Sequence, residues 1–172
     1  MEANLKTELN EVTELVKRAE YLINTVRKKR QKYINDIENI MWDALNEAEI
    51  TTPTINDLIR QTTDLPDLDE GNLLDLIMKE NGFEVVNDAF LLEHFPSIVE
   101  SEFDAEGVLN KLFNWESDIE GAMGGIGLYY SNRTKQYYYI IGKTYDNEEL
   151  KMEVEQYSKK DMEDFINHCL DC

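Results

Sequence analysis

Residues 121–142 read GAMGGIGLYYSNRTKQYYYIIG, and the fold turns on how they are taken. The tyrosine and branched aliphatic residues after the glycines suit a pleated, half-buried surface. Asn132-Arg133-Thr134-Lys135 supplies turn chemistry between two such runs. Strands are therefore expected over about 126–131 and 136–142. The second run is apolar on both faces, as the central strand of a sheet is. A third strand is expected over about 149–156, after Asp146-Asn147, because Leu150, Met152 and Val154 alternate with Lys151, Glu153 and Glu155. Ser158 and Asp161 then stand at capping-box spacing. They open a helix whose buried stripe is Met162, Phe165, Ile166, Cys169 and Leu170. Residues 125–172 read as a βββα unit, a three-stranded antiparallel meander with a C-terminal helix. The glycines lie before a strand, whereas a phosphate cradle follows a strand and opens a helix. They read as a flexible entry into the sheet.

Upstream the period changes. Residues 2–48 contain neither Gly nor Pro. Leu5, Leu9, Val12, Val16, Ala19, Ile23, Val26, Arg30, Tyr33, Ile37, Ile40 and Ala44 keep a heptad spacing interrupted only by Arg30. Leu15, Leu22, Ile34, Met41, Leu45 and Ala48 widen the stripe. A helix of about 45 residues would span nearly 70 Å, and its stripe needs a cover. That cover is either a second copy in a coiled coil or the rest of the chain. Residues 51–124 read as short helices. Thr54 caps a turn ending near Gln61, and Asp67 or Asn72 opens a helix carrying Leu73 to Met78 that Gly82 stops. Asp88 starts one that Pro96 closes, and Asp104 caps one through Trp115. The expected class is α+β: a long helical or coiled-coil arm (1–50), an acidic helical region (51–124), and the βββα unit (125–172) packed with it.

Charge is distributed unevenly along this plan. The formal net charge is -19 over 172 residues. Residues 1–34 hold five acids against eight bases, residues 35–124 hold 22 acids against Arg60, Lys79 and Lys111, and residues 125–172 hold nine acids against six bases. A field of this sign repels nucleic acid and draws cationic surfaces. No apolar run approaches the roughly 18 residues of a membrane span, and MEANLKTELNE lacks the layout of a signal peptide. Two cysteines give no disulfide framework, so a cytoplasmic protein without membrane contact is expected.

No motif for a catalytic centre fits. His168-Cys169-x-x-Cys172 lacks the further ligands of a structural zinc, with His94 the only other histidine. Pro66-Asp67 with Glu149-Leu150-Lys151 imitates a metal-dependent nuclease set, but Asp67 lies in a helical stretch and Glu149 and Lys151 on the solvent face of a strand. DLPDLDEGNLLD misplaces Gly71 for a calcium loop. Seven of nine tyrosines fall between Tyr129 and Tyr157. They could stack single-stranded bases or form a protein interface, but without basic companions they read first as sheet formers. No metal, cofactor or catalytic residue is assigned.

Arg27, Lys28, Lys29, Arg30 and Lys32 advance about 100° per residue and so encircle their helix. Pairing with the acidity of residues 35–124, within the chain or across a dimer, is the first reading. Contact with a partner's acidic or nucleic-acid element and a localisation signal are the others.

Residues 35–124 are similar in composition to small acidic inhibitors, including phage anti-restriction and anti-CRISPR proteins and some toxin-immunity proteins. That resemblance implies a non-enzymatic protein that offers carboxylates where an enzyme's basic groove expects phosphates. The expected partner is a basic nucleic-acid-handling protein, with no direct binding of nucleic acid. The expected contacts are Asp64, Asp67, Asp69, Glu70, Glu100, Glu102, Asp104 and Glu106. A homodimer through the N-terminal helix accompanies this reading. The alternative is a coiled-coil adaptor or assembly protein with no inhibitory role, and a metal-dependent nuclease comes third.

Overall fold

The computed structural model describes residues 2–32, 70–118, 121–144 and 149–171. Within them the chain is α+β, with five helices and one antiparallel sheet of five strands. Helix α1 is Glu2–Lys32, α2 Glu70–Glu80, α3 Asp88–His94, α4 Glu102–Leu112 and α5 Lys159–Asp171. The strands are β1 Glu84–Val85, β2 Trp115–Asp118, β3 Gly121–Tyr130, β4 Tyr137–Thr144 and β5 Leu150–Tyr157. They run in the order β1-β3-β4-β5, and β2 pairs with β3 beside β1.

The expected three-stranded sheet is thus one of five strands. The two added strands come from residues 51–124, so that region and the C-terminal unit share a sheet. The glycine run is not an entry to β3 but its interior, and ring packing accounts for it. A Cβ at Gly124 would lie 2.6 Å from the Trp115 ring, one at Gly125 2.5 Å from the Tyr139 hydroxyl and 2.7 Å from the Leu112 carbonyl, and one at Gly127 2.4 Å from the Tyr129 hydroxyl. Each glycine seats an aromatic side chain that otherwise has no room.

Side chains alternate across the sheet, giving it two buried faces. On one, Tyr129, Tyr138, Ile140 and Leu150 meet Val12, Leu15, Val16, Ala19, Leu22 and Ile23 of α1 and Leu73, Leu74, Ile77 and Met78 of α2. On the other, Leu128, Tyr130 and Tyr137 meet Phe90 and Leu91 of α3, Ala105, Val108 and Leu112 of α4, and Met162, Ile166 and Cys169 of α5. The sheet is the middle of three layers. From Leu9 to Ile23 the apolar stripe of α1 is therefore covered by the chain's own sheet and α2. Burying its five Val, Leu and Ile side chains is worth on the order of 10 kcal/mol before entropy is counted. The remainder of the expected arm, residues 33–50, lies outside the described residues.

Helix α1 also closes an edge of the sheet. Asn24 donates from Nδ2 to the Leu150 carbonyl and accepts from the Leu150 N–H, each at 2.8 Å, and Glu20 accepts from the Met152 N–H at 2.8 Å. One helical turn from residue 20 to 24 rises about 6 Å, close to the roughly 6.8 Å that two residues of strand advance. Two side chains one turn apart can therefore satisfy alternate backbone groups of β5, an edge otherwise open to a foreign strand.

Local chemistry sets the helix ends. After α2, Gly82 takes φ +89°, with Gly82 N–H on the Lys79 carbonyl and Phe83 N–H on the Met78 carbonyl, both at 3.0 Å. This is a Schellman stop, with Phe83 buried among the same residues as Met78. The Ser158–Asp161 capping box forms in both directions, at 2.8 Å and 3.2 Å. Helix α3 starts at Asp88 as expected, and Asn87 caps it by accepting from Phe90 N–H at 2.9 Å. One expected cap is corrected. Ser101, not Asp104, caps α4 by accepting from Asp104 N–H at 3.2 Å. Asp104 instead sits in the first turn, where its negative charge interacts favourably with the positive end of the helix dipole. Helix α4 stops at Leu112, so Trp115 belongs to β2 and not to the helix.

Candidate partner interface

The outer surface of the α3–α4 layer follows from this burial. Phe90 and Leu91 of α3 and Ala105, Val108 and Leu112 of α4 turn toward the sheet, which leaves the polar positions outward. Between Lys79 and Lys111 the chain carries eight acids and no Lys or Arg. Glu84, Asp88, Glu93, Glu100, Glu102 and Glu106 are exposed, and Asp104 is half-buried. Among the described residues, no ion pair engages Glu100, Glu102, Asp104 or Glu106. Phe103 stands in their midst with 82% of its surface exposed.

Of the eight expected contacts, the structure therefore gathers four, Glu100, Glu102, Asp104 and Glu106, at the start of α4. Glu70 is the first residue of α2; Asp64, Asp67 and Asp69 lie outside the described residues. Of the basic cluster, Arg27 is half-buried and Lys28 exposed near the end of α1; the side chains of Lys29, Arg30 and Lys32 are not among those described. Helix α1 lies on the face of the sheet opposite α3 and α4.

A second polar centre escaped the sequence reading. Glu8 of α1 is 4% exposed. Its carboxylate accepts from Ser131 Oγ and from the Tyr138 hydroxyl, each at 2.7 Å, and from Thr134 Oγ1. Arg133 Nε lies 3.4 Å away, and Arg133 also reaches Glu11 at 3.1 Å. These donors occupy both carboxylate oxygens, so the centre fastens α1 to the β3–β4 turn and leaves nothing open for a ligand. The one signal in the sequence was an acid at position 8, three residues after Leu5 and four before Val12 on the apolar stripe.

The other candidates resolve into structure. Tyr129, Tyr130, Tyr137 and Tyr138 are buried, so the tyrosine run builds the core and not a base-stacking platform. Burial raises the pKa of Tyr129, Tyr137 and Tyr138 above 10.0, with Asp75 adding to Tyr129, Tyr130 to Tyr137 and Glu8 to Tyr138. Lys151 pairs with Glu149 at 3.6 Å on the surface; Asp67, the other member of the nuclease set, lies outside the described residues. Cys169 is buried, its carbonyl accepting from Lys111 Nζ at 2.5 Å. His94 stacks on Phe90 at 3.8 Å and puts Nδ1 3.1 Å from the Phe90 carbonyl. Among the described residues no group of three or more His, Cys, Asp or Glu could hold a metal, and no helix is long and apolar enough to cross a membrane. No family model, no curated protein and no solved structure matches the chain.

Proposed function

We propose that this chain is a non-enzymatic acidic interaction module that occupies the basic nucleic-acid-binding surface of a partner protein and blocks it. The observation that supports this reading is the outer face of α3–α4, where the carboxylates at the start of α4 form a cluster that no base of the described chain neutralises. Carboxylates three or four residues apart on a helix have Cβ atoms about 5–6 Å apart, close enough to follow a row of Arg and Lys arranged for phosphates. Each exposed pair with a partner cation contributes about 0.2–1 kcal/mol. Affinity then comes from several acids acting together, and the long-range field speeds encounter.

The test is capture from lysate by immobilised protein at low and high salt, followed by competition. The captured protein should itself bind duplex DNA or RNA, release at high salt, and be displaced by added duplex. Changing Glu93, Glu100, Glu102 and Glu106 together to Lys should abolish capture while leaving the circular dichroism spectrum intact, because none of the four side chains is buried. Capture that survives this reversal, or that duplex does not displace, overturns the reading.

A further inference from the structure

The first two turns of α4 contain two features that carboxylate display does not require. Phe103 is the most exposed of the large hydrophobic side chains described. Gly107, one turn further on, is a glycine inside a helix, where glycine is disfavoured relative to alanine. Packing does not call for it: a Cβ built there meets nothing within 4 Å, and its φ is not in the left-handed region. This sets Gly107 apart from Gly124, Gly125 and Gly127, each of which lies against a ring or a carbonyl.

On a helix, position 107 adjoins position 103. The glycine therefore leaves bare backbone beside the phenyl ring. Successive residues turn about 100°, which sets Glu106 on the other flank of the ring and Glu102 beyond it. The result is a shallow notch with an aromatic wall, an open floor and a carboxylate rim.

We infer that this notch receives an arginine side chain of the partner. This rests on the acidic-module reading above and gives it a preferred cation. A guanidinium is planar, stacks on an aromatic face and presents a fork of donors to neighbouring carboxylates, whereas an ammonium is a compact and strongly hydrated charge. The partial positive charge of the α4 N-terminus, about half a unit, opposes a cation there. Glu100, Glu102, Asp104 and Glu106 outweigh it. Open floor and exposed ring suit a flat group laid against the helix, and lysine gains less from either.

Two synthetic peptides test it, one with four arginines separated by glycines and the same sequence with lysines, titrated into the full chain by calorimetry and by amide chemical-shift mapping. The arginine peptide should bind about two- to fivefold tighter, the ratio that an exposed stacking contact supplies, and should shift the amides of residues 102–107. Phe103→Ala should bring the two peptides to equal affinity without lowering Tm. Gly107→Ala should also remove the preference while raising Tm, a combination that a merely structural glycine does not give. Equal affinities in the wild type, or a preference unchanged in both variants, overturns the arginine notch and leaves the acidic surface standing. If neither peptide shifts residues 102–107, the acidic-module reading falls with it.

Discussion

Glu8 shows how one side chain can tie distant parts of the sequence together. It sits on a stripe otherwise built of aliphatic residues, and burying a carboxylate is costly unless it is hydrogen-bonded. Here Ser131, Thr134 and Tyr138 each donate to it. Removing the acceptor strands these three hydroxyls against a nonpolar helix face, and Arg133 keeps Glu11 and the Phe83 ring. Glu8→Ala should therefore cost about 2–4 kcal/mol. Urea unfolding should show this as a lower midpoint with an unchanged slope. A loss below about 1 kcal/mol would mean that water replaces the carboxylate and that the centre fastens nothing. Residues of this kind are hard to read from sequence. Glu8 differs from a solvated helix acid only in its position relative to Leu5, Leu9 and Val12, and its donors lie more than a hundred residues away.

At the scale of elements, legibility depended on whether the deciding interactions were local. The alternation in β5 was readable because every second residue faces the core: Leu150, Met152 and Val154 lie toward α1, while Lys151, Glu153 and Glu155 are exposed. The Ser158–Asp161 box and the Gly82 stop were readable because their bonds span only three to five residues. Strand β2 was not. Trp-Glu-Ser-Asp carries no alternating pattern, and it is a strand because Gly124, its partner residue opposite Trp115, leaves room for the indole. The cover of α1 could not be read either, since an apolar stripe is the same whether a second copy or a sheet lies against it. The structure makes that choice testable. Helix α1 contributes six side chains to one core and closes the edge of β5. A chain beginning at Thr51 should thus expose Tyr129, Tyr138, Ile140 and Leu150 and lose cooperative unfolding, with aggregation in light scattering. A truncated chain that stays soluble and unfolds cooperatively would show that the body folds without its first helix.

On the scale of the whole molecule, the net charge of -19 and the buried tyrosines act together. Tyr129, Tyr137 and Tyr138 have pKa values raised above 10.0, first by burial and then by neighbours that include Asp75, Glu163, Glu84 and Glu8. The folded state thus holds phenolic protons that the unfolded chain releases above about pH 10. The sign follows by linkage: this stabilisation is complete below pH 10 and is lost as pH rises through the folded-state values. Each phenolate formed also joins a chain already rich in negative charge, whose self-repulsion opposes the compact state. Alkaline unfolding should therefore be cooperative, with part of the tyrosinate absorbance appearing only as the circular dichroism signal collapses. In denaturant all nine tyrosines should titrate together near pH 10. Added salt should move the alkaline midpoint upward, because screening weakens repulsion among surface acids more than it affects the buried phenols. If the buried tyrosines ionise near pH 10 with secondary structure intact, the tyrosine core is open to solvent, and the two-faced sheet does not form the sealed middle layer on which the acidic α3–α4 surface is mounted.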